Sequence, residues 1–319
     1  MKKHASKITM GMLALILLAS GCVKKTDTPV TTTPATTYTS LSDFYTSNAV
    51  KSEFFKLDAA KGGSFTSAKG SKVTIPANCF LDNSSNPLTG TIQVEFKDIY
   101  KKSDMLLSQM PVMLGNGAPL KSAGEFFILV TKDSGAVALA PNKAIAVEQP
   151  ANGAAVDSIG MKPFIFGNGV AGKGWSSNSA DSLRYYPSSY VFSLYNFSSP
   201  AGAGTWCNSD NATYFSSYPQ TSLTIVPDFV DTTYGLDVYL VFKGINSMVH
   251  VYRDNSASNF PYLYAPTGLS CTVVAVGYKD HNLYSSFTDV TISANQTVHI
   301  PSVSQTTGAD FKSKLTGLD

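Results

Sequence analysis

The chain has 319 residues, of which 43% are hydrophobic and only 14% are charged, and its formal net charge is +2. A nucleic-acid binder normally carries a basic stripe, so this low and nearly balanced charge argues against nucleic acid as a partner. Many Gly, Pro, Tyr and Phe residues, with few runs rich in Ala, Glu, Lys and Leu, favour strands and turns over helices.

Residues 1–21 have the pattern of an export signal. Lys2, Lys3 and Lys7 form a basic start, and the apolar run "ITMGMLALILLA" that follows is shorter than the roughly 20 apolar residues that a membrane-spanning helix needs. Small residues come next and lead directly to Cys22. A basic start, a short apolar stretch and small residues together predict a cleavable signal peptide.

Cys22 is a residue that an ordinary secretory signal does not need. The stretch "LLASGC" resembles the lipobox of bacterial lipoproteins, in which the thiol of the first mature residue is joined to a diacylglycerol. One position departs from the usual pattern, because Ala19 stands where leucine is expected and Leu18 lies one place further back. The resemblance implies lipidation of Cys22, the membrane as a partner, and a cell-envelope location as an outer-membrane lipoprotein, periplasmic or surface-exposed. The alternative is a plain secretory signal with a chance cysteine.

Residues 22–42 are rich in Thr and Pro and poor in apolar side chains. Such a segment buries too little surface to offset its ordering entropy, so we expect a mobile tether. A short helix is predicted immediately after it, in "LSDFYTSNAVKSEFF".

The segment "GTIQVEFKDI" alternates between apolar and polar residues, with Ile92, Val94 and Phe96 on one face and Gln93 and Lys97 among those on the other. This alternation predicts a half-buried strand. Ten further strand patterns follow the same logic and begin near Ser71, Gly124, Ala144, Ser189, Ser222, Leu236, Met248, Ser270, Asp289 and Gln296. Short strands separated by regular turn signals predict an all-β fold with two antiparallel β-sandwich domains in tandem.

The domain boundaries follow from composition. Residues 151–184 are dense in Gly, Asn and Ser, which favours an irregular connector. One sandwich is therefore expected at 43–150 and a second at 185–305. Residues 306–319 are expected to form a short C-terminal helix or tail, since apolar residues in "GADFKSKLTGL" recur at helical spacing.

Three segments of the expected first sandwich resemble a known family of β-sandwich domains. The stretches "KGGSFTSAKGSKVTIPANCF", "TGTIQVEFKDIY" and "SQMPVMLGNGAPLKSAGEFFILV" are similar to the ZU5-type sandwich of scaffold and receptor proteins. The combination with a second β-domain more closely resembles uncharacterised lipid-anchored proteins of Gram-negative bacteria. The resemblance implies a sandwich that presents surfaces, and it says little about function.

Three cysteines remain if Cys22 is lipidated. An exported compartment permits disulfides, and both Cys207 and Cys271 fall in the expected second unit, so they are the candidate pair. The alternative is that these two and Cys79 are all small core residues.

A group of aromatic residues in Gly-rich or polar stretches forms the candidate ligand-contact set. Its members are Trp175, Trp206, Tyr185, Tyr186 and Tyr214. Exposed rings of this kind stack on sugars or on a partner surface. The alternative is that they cap the sandwich ends and bury most of their rings.

The sequence contains no zinc, phosphate-loop or nucleophile-elbow motif, so no cofactor, metal or catalytic residue is predicted. Asp82 lies in "DNSSN" and Asp210 in "CNSDN", where turn chemistry is the ordinary explanation. Calcium ligation by either aspartate stays open in an exported protein, although neither follows the EF-hand spacing.

Two functions from different classes follow. The first is a lipid-anchored, non-enzymatic module that presents sandwich loops to a protein or glycan partner. The second is an envelope hydrolase acting on glycan or peptide, with carboxylates such as Asp104, Glu125 or Asp210 in a cleft between the domains. A glycan hydrolase requires two carboxylates roughly 5 to 10 Å apart in a concave site.

Overall fold

A computed structural model describes residues 37–133, 135, 137–151, 160–169, 172–199, 203–229, 234–254 and 258–319. The predicted signal, Cys22 and most of the predicted tether lie outside the described residues. The described chain is mostly β, and nearly all of its strand pairs are antiparallel, so the all-β expectation is confirmed.

The first fourteen strands in the described chain form one sandwich. They are β1 (Glu53–Asp58), β2 (Gly63–Thr66), β3 (Lys72–Ile75), β4 (Phe80–Leu81), β5 (Thr91–Ile99), β6 (Lys121–Thr131), β7 (Val137–Leu139), β8 (Ile145–Pro150), β9 (Met161–Gly169), β10 (Gly172–Ser177), β11 (Ser182–Tyr186), β12 (Ser189–Leu194), β13 (Ser198–Ser199) and β14 (Thr205–Asn211). One sheet has the order β1-β5-β6-β14-β9-β10, and we call it the six-stranded sheet. It faces a sheet of order β11-β12-β8-β3-β2, with a small sheet β13-β7-β4 beside them.

Eight further strands form the second sandwich. They are β15 (Gln220–Pro227), β16 (Asp237–Phe242), β17 (Met248–Val251), β18 (Phe260–Pro266), β19 (Ser270–Lys279), β20 (Asn282–Thr291), β21 (Gln296–Ile300) and β22 (Ser304–Thr306). A sheet of order β17-β16-β19-β20-β22 faces one of order β18-β15-β21. The pair β15 and β21 is parallel, which corrects the expectation of wholly antiparallel sheets.

Each sandwich has its own apolar core, as alternating strands require. Ile92, Val94 and Phe96 of β5 are fully buried in the first core, where Phe126 packs beside Phe96. The inward register predicted for β5 is therefore confirmed. The second core is built in the same way around β16 and β19.

We call a third apolar cluster the middle core. It packs on the face of the six-stranded sheet that points away from the first core, and on the face of the β17-β16-β19-β20-β22 sheet that points away from the second core. It takes Ile99 and Phe164 from the six-stranded sheet and Tyr239 and Val274 from the second sandwich. Three short helices pack into it: α1 (Leu41–Asn48), α2 (Lys102–Leu107) and α3 (Gly308–Thr316). Strand β19 is consequently buried on both faces, with Val273 in the second core and Val274 in the middle core.

Both predicted helices are present, α1 near the start of the described chain and α3 at its end. The predicted length is wrong for α1. Phe311 and Leu315 of α3 are fully buried, as their spacing predicts. Helix α1 ends at Asn48, and the residues "EFF" predicted to continue it begin strand β1 instead. The predicted tether also ends earlier than residue 42, because Tyr38 is buried and its carbonyl accepts a hydrogen bond from the Tyr278 hydroxyl (2.5 Å).

The predicted domain boundary differs from the structure. The segment 151–184, predicted as an irregular connector, contains β9, β10 and the start of β11, and the segment from residue 185 continues with β12 to β14. All six strands belong to the first sandwich, which therefore extends to Asn211, while the second begins at Gln220. Gly174 in this segment allows two backbone segments to pack closely, because a Cβ at this position would lie 2.7 Å from the backbone nitrogen of Gly115.

The longest described helix, α3, has nine residues. Among the described residues, no helix is both long enough and apolar enough to cross a membrane.

Candidate functional site

A cavity of about 1100 Å³ lies where the two sandwiches and the helices α2 and α3 meet. Residues 100–104, at the end of β5 and the start of α2, form one wall, and residues 121–123, at the start of β6, form another. The loop 244–246 and the residues Thr316 and Asp319 at the C-terminal end of α3 also line the cavity. Single residues complete the lining: Lys69, Ala151, Met161 and Tyr190. The cavity has the size of a small-molecule or oligosaccharide site.

Four lysines line this cavity, and we call them the lysine cluster: Lys69, Lys101, Lys102 and Lys121. Lys102 is 4% exposed, and its ammonium donates a hydrogen bond to the Phe242 carbonyl (2.7 Å). Burial lowers the pKa of Lys102, and the nearby Asp319 opposes that shift. Lys101 is exposed, whereas the Lys121 ammonium lies 4.6 Å from the centre of the Tyr214 ring.

Two aspartates also line the cavity, and each is bound to a donor of this chain. Asp104 accepts a hydrogen bond from the Lys69 ammonium (2.7 Å). Asp319 accepts from the backbone N–H of Ser103 (2.9 Å) and from its hydroxyl (2.7 Å). Four lysines against two paired aspartates leave an excess of positive charge, so the cavity favours an anionic ligand.

One of the predicted aromatics, Tyr185, lies near the cavity edge. Tyr185 packs edge-to-face on Tyr190, which lines the cavity, with ring centres 5.8 Å apart. The Tyr185 hydroxyl donates to the carbonyl of Met161, another lining residue (2.5 Å). Tyr185 and its neighbour Tyr186 are 37% and 48% exposed. The Tyr185 ring is therefore partly exposed beside the cavity, whereas Tyr186, the next residue of β11, points to the opposite face of that strand.

The other predicted aromatics are not brought together with them. Trp175 is fully buried in the middle core, where its N–H donates to the Pro111 carbonyl (2.9 Å), so the expectation of an exposed contact ring is wrong for it. Trp206 is half-buried against Phe127. Tyr214 packs at the margin of the second core. These three residues therefore agree with the alternative stated above, in which the aromatic rings are mostly buried.

The predicted disulfide does not form. Cys207 lies in the first core and Cys271 in the second, so the two thiols belong to different sandwiches. Both are free and buried, as is Cys79, which agrees with the alternative that all three are small core residues. Burial raises the pKa of Cys79 to about 11 and that of Cys271 to about 12, so neither thiol is activated.

The carboxylates that the sequence singles out divide into separate sites. Asp104 lines the cavity, whereas Glu125 and Asp210 are fully buried and are not part of its lining. Burial raises the pKa of both buried carboxyls well above the usual range, and the charge of Asp210 adds to the rise at Glu125. The turn explanation is confirmed for Asp82, which accepts from the N–H groups of Ser84 and Asn86, and is wrong for Asp210, which lies in β14.

Sequence reasoning does not identify the lysine cluster, because its members are separated by up to 52 positions and share no motif. Only the lysine pair "KK" at 101–102 stands out locally, directly after the strand that the alternation predicts. Among the described residues, no group of three or more His, Cys, Asp or Glu side chains is arranged to hold a metal ion.

No known protein family, curated protein or solved structure matches this chain.

Proposed function

We propose that this protein is a lipid-anchored, non-enzymatic binding module of the cell envelope, and that the cavity holds an acidic glycan. The observation that carries the proposal is the lysine cluster in a cavity of about 1100 Å³. Lysines recognise carboxylate and phosphate groups as compact charges and do not require one fixed geometry. The partner class that best complements this lining is therefore an anionic one.

Polar and aromatic groups favour a glycan over an acidic peptide. Ser103 and Asn246 line the cavity, and the hydroxyl oxygen of Ser103 and the amide oxygen of Asn246 are able to accept hydrogen bonds from sugar hydroxyls. Tyr190 lies in the wall with the partly exposed ring of Tyr185 packed on it, and sugar rings stack on such planes.

Binding is preferred to hydrolysis because of how the carboxylates are held. Asp104 and Asp319 are the lining carboxylates, and each accepts hydrogen bonds from Lys69 or Ser103. Glycan hydrolysis needs one carboxyl group with a raised pKa facing the substrate. Glu125 and Asp210 have raised pKa values but do not reach the lining.

Reversing one charge of the lysine cluster tests the proposal. We expect Lys101→Glu to weaken binding of an oligogalacturonate about tenfold, because an attraction becomes a repulsion of similar size. Isothermal calorimetry at low ionic strength measures the change, and added salt should weaken wild-type binding as well.

The matched control is Lys56→Glu, an identical charge change at an exposed position of β1 outside the cavity lining. We expect it to leave the affinity within about twofold. Equal losses from both variants would contradict cavity binding. Tighter binding of an oligoglutamate than of the oligogalacturonate would indicate a peptide partner instead.

The anchor rests on Cys22 and on the resemblance of "LLASGC" to the lipobox. Two or three acyl chains hold a protein on a membrane, whereas one chain holds it weakly. We expect Cys22→Ala to abolish labelling by a clickable palmitate analogue and to release the protein from the membrane fraction or leave its signal uncut. Unchanged labelling and fractionation would contradict the anchor. The ZU5-like resemblance of the first sandwich belongs to the same proposal, and sandwiches of that type present surfaces to partners.

A further inference from the structure

Two carboxyl groups, Glu125 and Asp210, are fully buried and largely without hydrogen-bond partners. Oε2 of Glu125 and both carboxyl oxygens of Asp210 have no partner in the protein. An isolated carboxylate in a dry interior is strongly disfavoured, because it loses its hydration. A proton or a cation must therefore neutralise it. Buried polar atoms without partners in native proteins call for such an explanation.

The pairing of β6 and β14 brings four oxygen-bearing side chains to one face of the six-stranded sheet. Asn208 lies opposite Glu125, and Asp210 lies opposite Ser122. Asn208 and Asp210 are two residues apart and therefore point to the same face. Between Ser122 and Glu125 the strand β6 contains one extra residue, a β-bulge, which turns both of them to that face as well.

Glycine at position 124 makes this bulge possible. Gly124 has a φ of +138°, which few side chains tolerate, and a Cβ there would lie 2.5 Å from the Tyr100 ring. Tyr100 and Gln149 therefore pack directly on the backbone of the bulge, where only a glycine leaves room for them.

Within the described residues, few hydrogen bonds offset the negative charge that Glu125 and Asp210 would carry as carboxylates. The Asn208 amide donates to Oε1 of Glu125 at a long 3.4 Å, and the Ser122 hydroxyl donates to the Asn208 carbonyl oxygen (2.7 Å). Lys162 lies opposite Asp210 on β9, but its side chain is exposed and makes no ion pair with it. Ser122 lies directly opposite Asp210 in the strand pairing, and its hydroxyl lowers the pKa of that carboxyl against the larger effect of burial.

We propose that Glu125, Asp210, Asn208 and Ser122 form a calcium site. Two carboxylates balance a divalent charge, and two bidentate carboxylates with one amide and one hydroxyl oxygen supply up to about six oxygen ligands, as Ca²⁺ requires. Mg²⁺ fits less well, because it keeps several waters and these side chains are fully buried. Ser122 also lines the large cavity, which provides the route by which an ion enters.

Thermal unfolding of the full chain at pH 7.5 tests the site. We expect about 1 mM Ca²⁺ to raise Tm by about 3 °C or more over the protein in chelator, and the rise to grow with the logarithm of the calcium concentration. Mg²⁺ at the same concentration should give a clearly smaller rise. Asp210→Asn should remove the calcium response, whereas Asp133→Asn, an exposed carboxylate elsewhere, should keep it.

Three results would overturn the proposal. An unchanged Tm in calcium, together with a higher Tm on acidification alone, would mean that protons neutralise the pair. Loss of the response in Asp133→Asn too would indicate surface binding, and an equal response to Mg²⁺ would contradict calcium selectivity.

If Asp210→Asn does not fold, wild-type protein still decides the question. Trp206 lies two residues before Asn208 on the same strand and face, close enough to sensitise Tb³⁺ luminescence. Sensitised emission that Ca²⁺ displaces would support the site, and its absence would contradict it. The test is independent of the cavity ligand, so its failure would leave the glycan proposal standing.

Discussion

Phe96→Ala is expected to lower the free energy of unfolding by about 3 to 5 kcal/mol, the usual cost of deleting a buried phenylalanine ring. The Phe96 ring is fully buried in the first core, with Phe126 stacked at 6.0 Å and Phe65 edge-on at 5.9 Å. Rings on three different strands cannot collapse together without moving the sheets, so most of the cavity should remain. Urea unfolding, with the midpoint and slope analysed together, measures the loss.

Gln93→Ala is the matched control on the opposite face of the same strand. Gln93 is exposed, and we expect its substitution to change stability by less than about 0.5 kcal/mol. Lys97 is a poorer control than its place in the alternation predicts, because its ammonium lies 5.1 Å from the centre of the Phe127 ring. That contact adds about 0.5 to 1 kcal/mol to the expected cost of Lys97→Ala. Equal losses at Phe96 and Gln93 would contradict the register.

Trp175→Ala is expected to cost about as much as Phe96→Ala, roughly 3 to 5 kcal/mol. The indole is fully buried in the middle core and packs on Phe166 with ring centres 5.1 Å apart. Its N–H is also bonded to the Pro111 carbonyl, so Trp175→Phe should keep much of the packing and still lose about 1 to 3 kcal/mol through the unpaired acceptor. Urea unfolding of both variants measures the two contributions.

Fluorescence supplies the control, since Trp175 and Trp206 are the two tryptophans of the chain. Trp206→Phe leaves Trp175 as the sole emitter, and we expect blue-shifted emission that acrylamide quenches poorly. Red-shifted, easily quenched emission would mean that the Trp175 ring is exposed. A loss of less than about 1 kcal/mol in Trp175→Ala would contradict its place in the middle core.

Strands with clear alternation could be predicted from the sequence because burial on one face leaves a period of two. In β5 the apolar and polar residues alternate without interruption, and the structure buries the expected face. Each of the predicted strands overlaps a strand of the structure. The run "CTVVAVG" of β19 lacks such alternation because both of its faces are buried, and a continuous apolar run is the signal of that environment.

The failure at the domain boundary has a physical cause. Strand β14, "TWCNSDN", reads as a turn because Asn, Asp and Ser favour turns in isolation. In the fold it is an inner strand of the six-stranded sheet, and the side chains of Asn208 and Ser209 bond to partners on other strands. Gln149, for example, accepts from the Ser209 hydroxyl (2.7 Å). Those partners lie about 60 or more positions away, so local composition carries no trace of them.

The sequence by itself determined the all-β class, the buried face of β5 and the positions of the terminal helices, because these depend on local propensity and on the spacing of apolar residues. Only the tertiary structure decided which sheet each strand joins, that Cys207 and Cys271 lie in separate cores, and that Glu125 and Ser122 share a face. Strict alternation places residues three apart on opposite faces, and the bulge at Gly124 reverses that result. The lysine cluster likewise depends on the packing of distant elements, since charges at positions 69, 101, 102 and 121 become neighbours only when the sandwiches and helices meet.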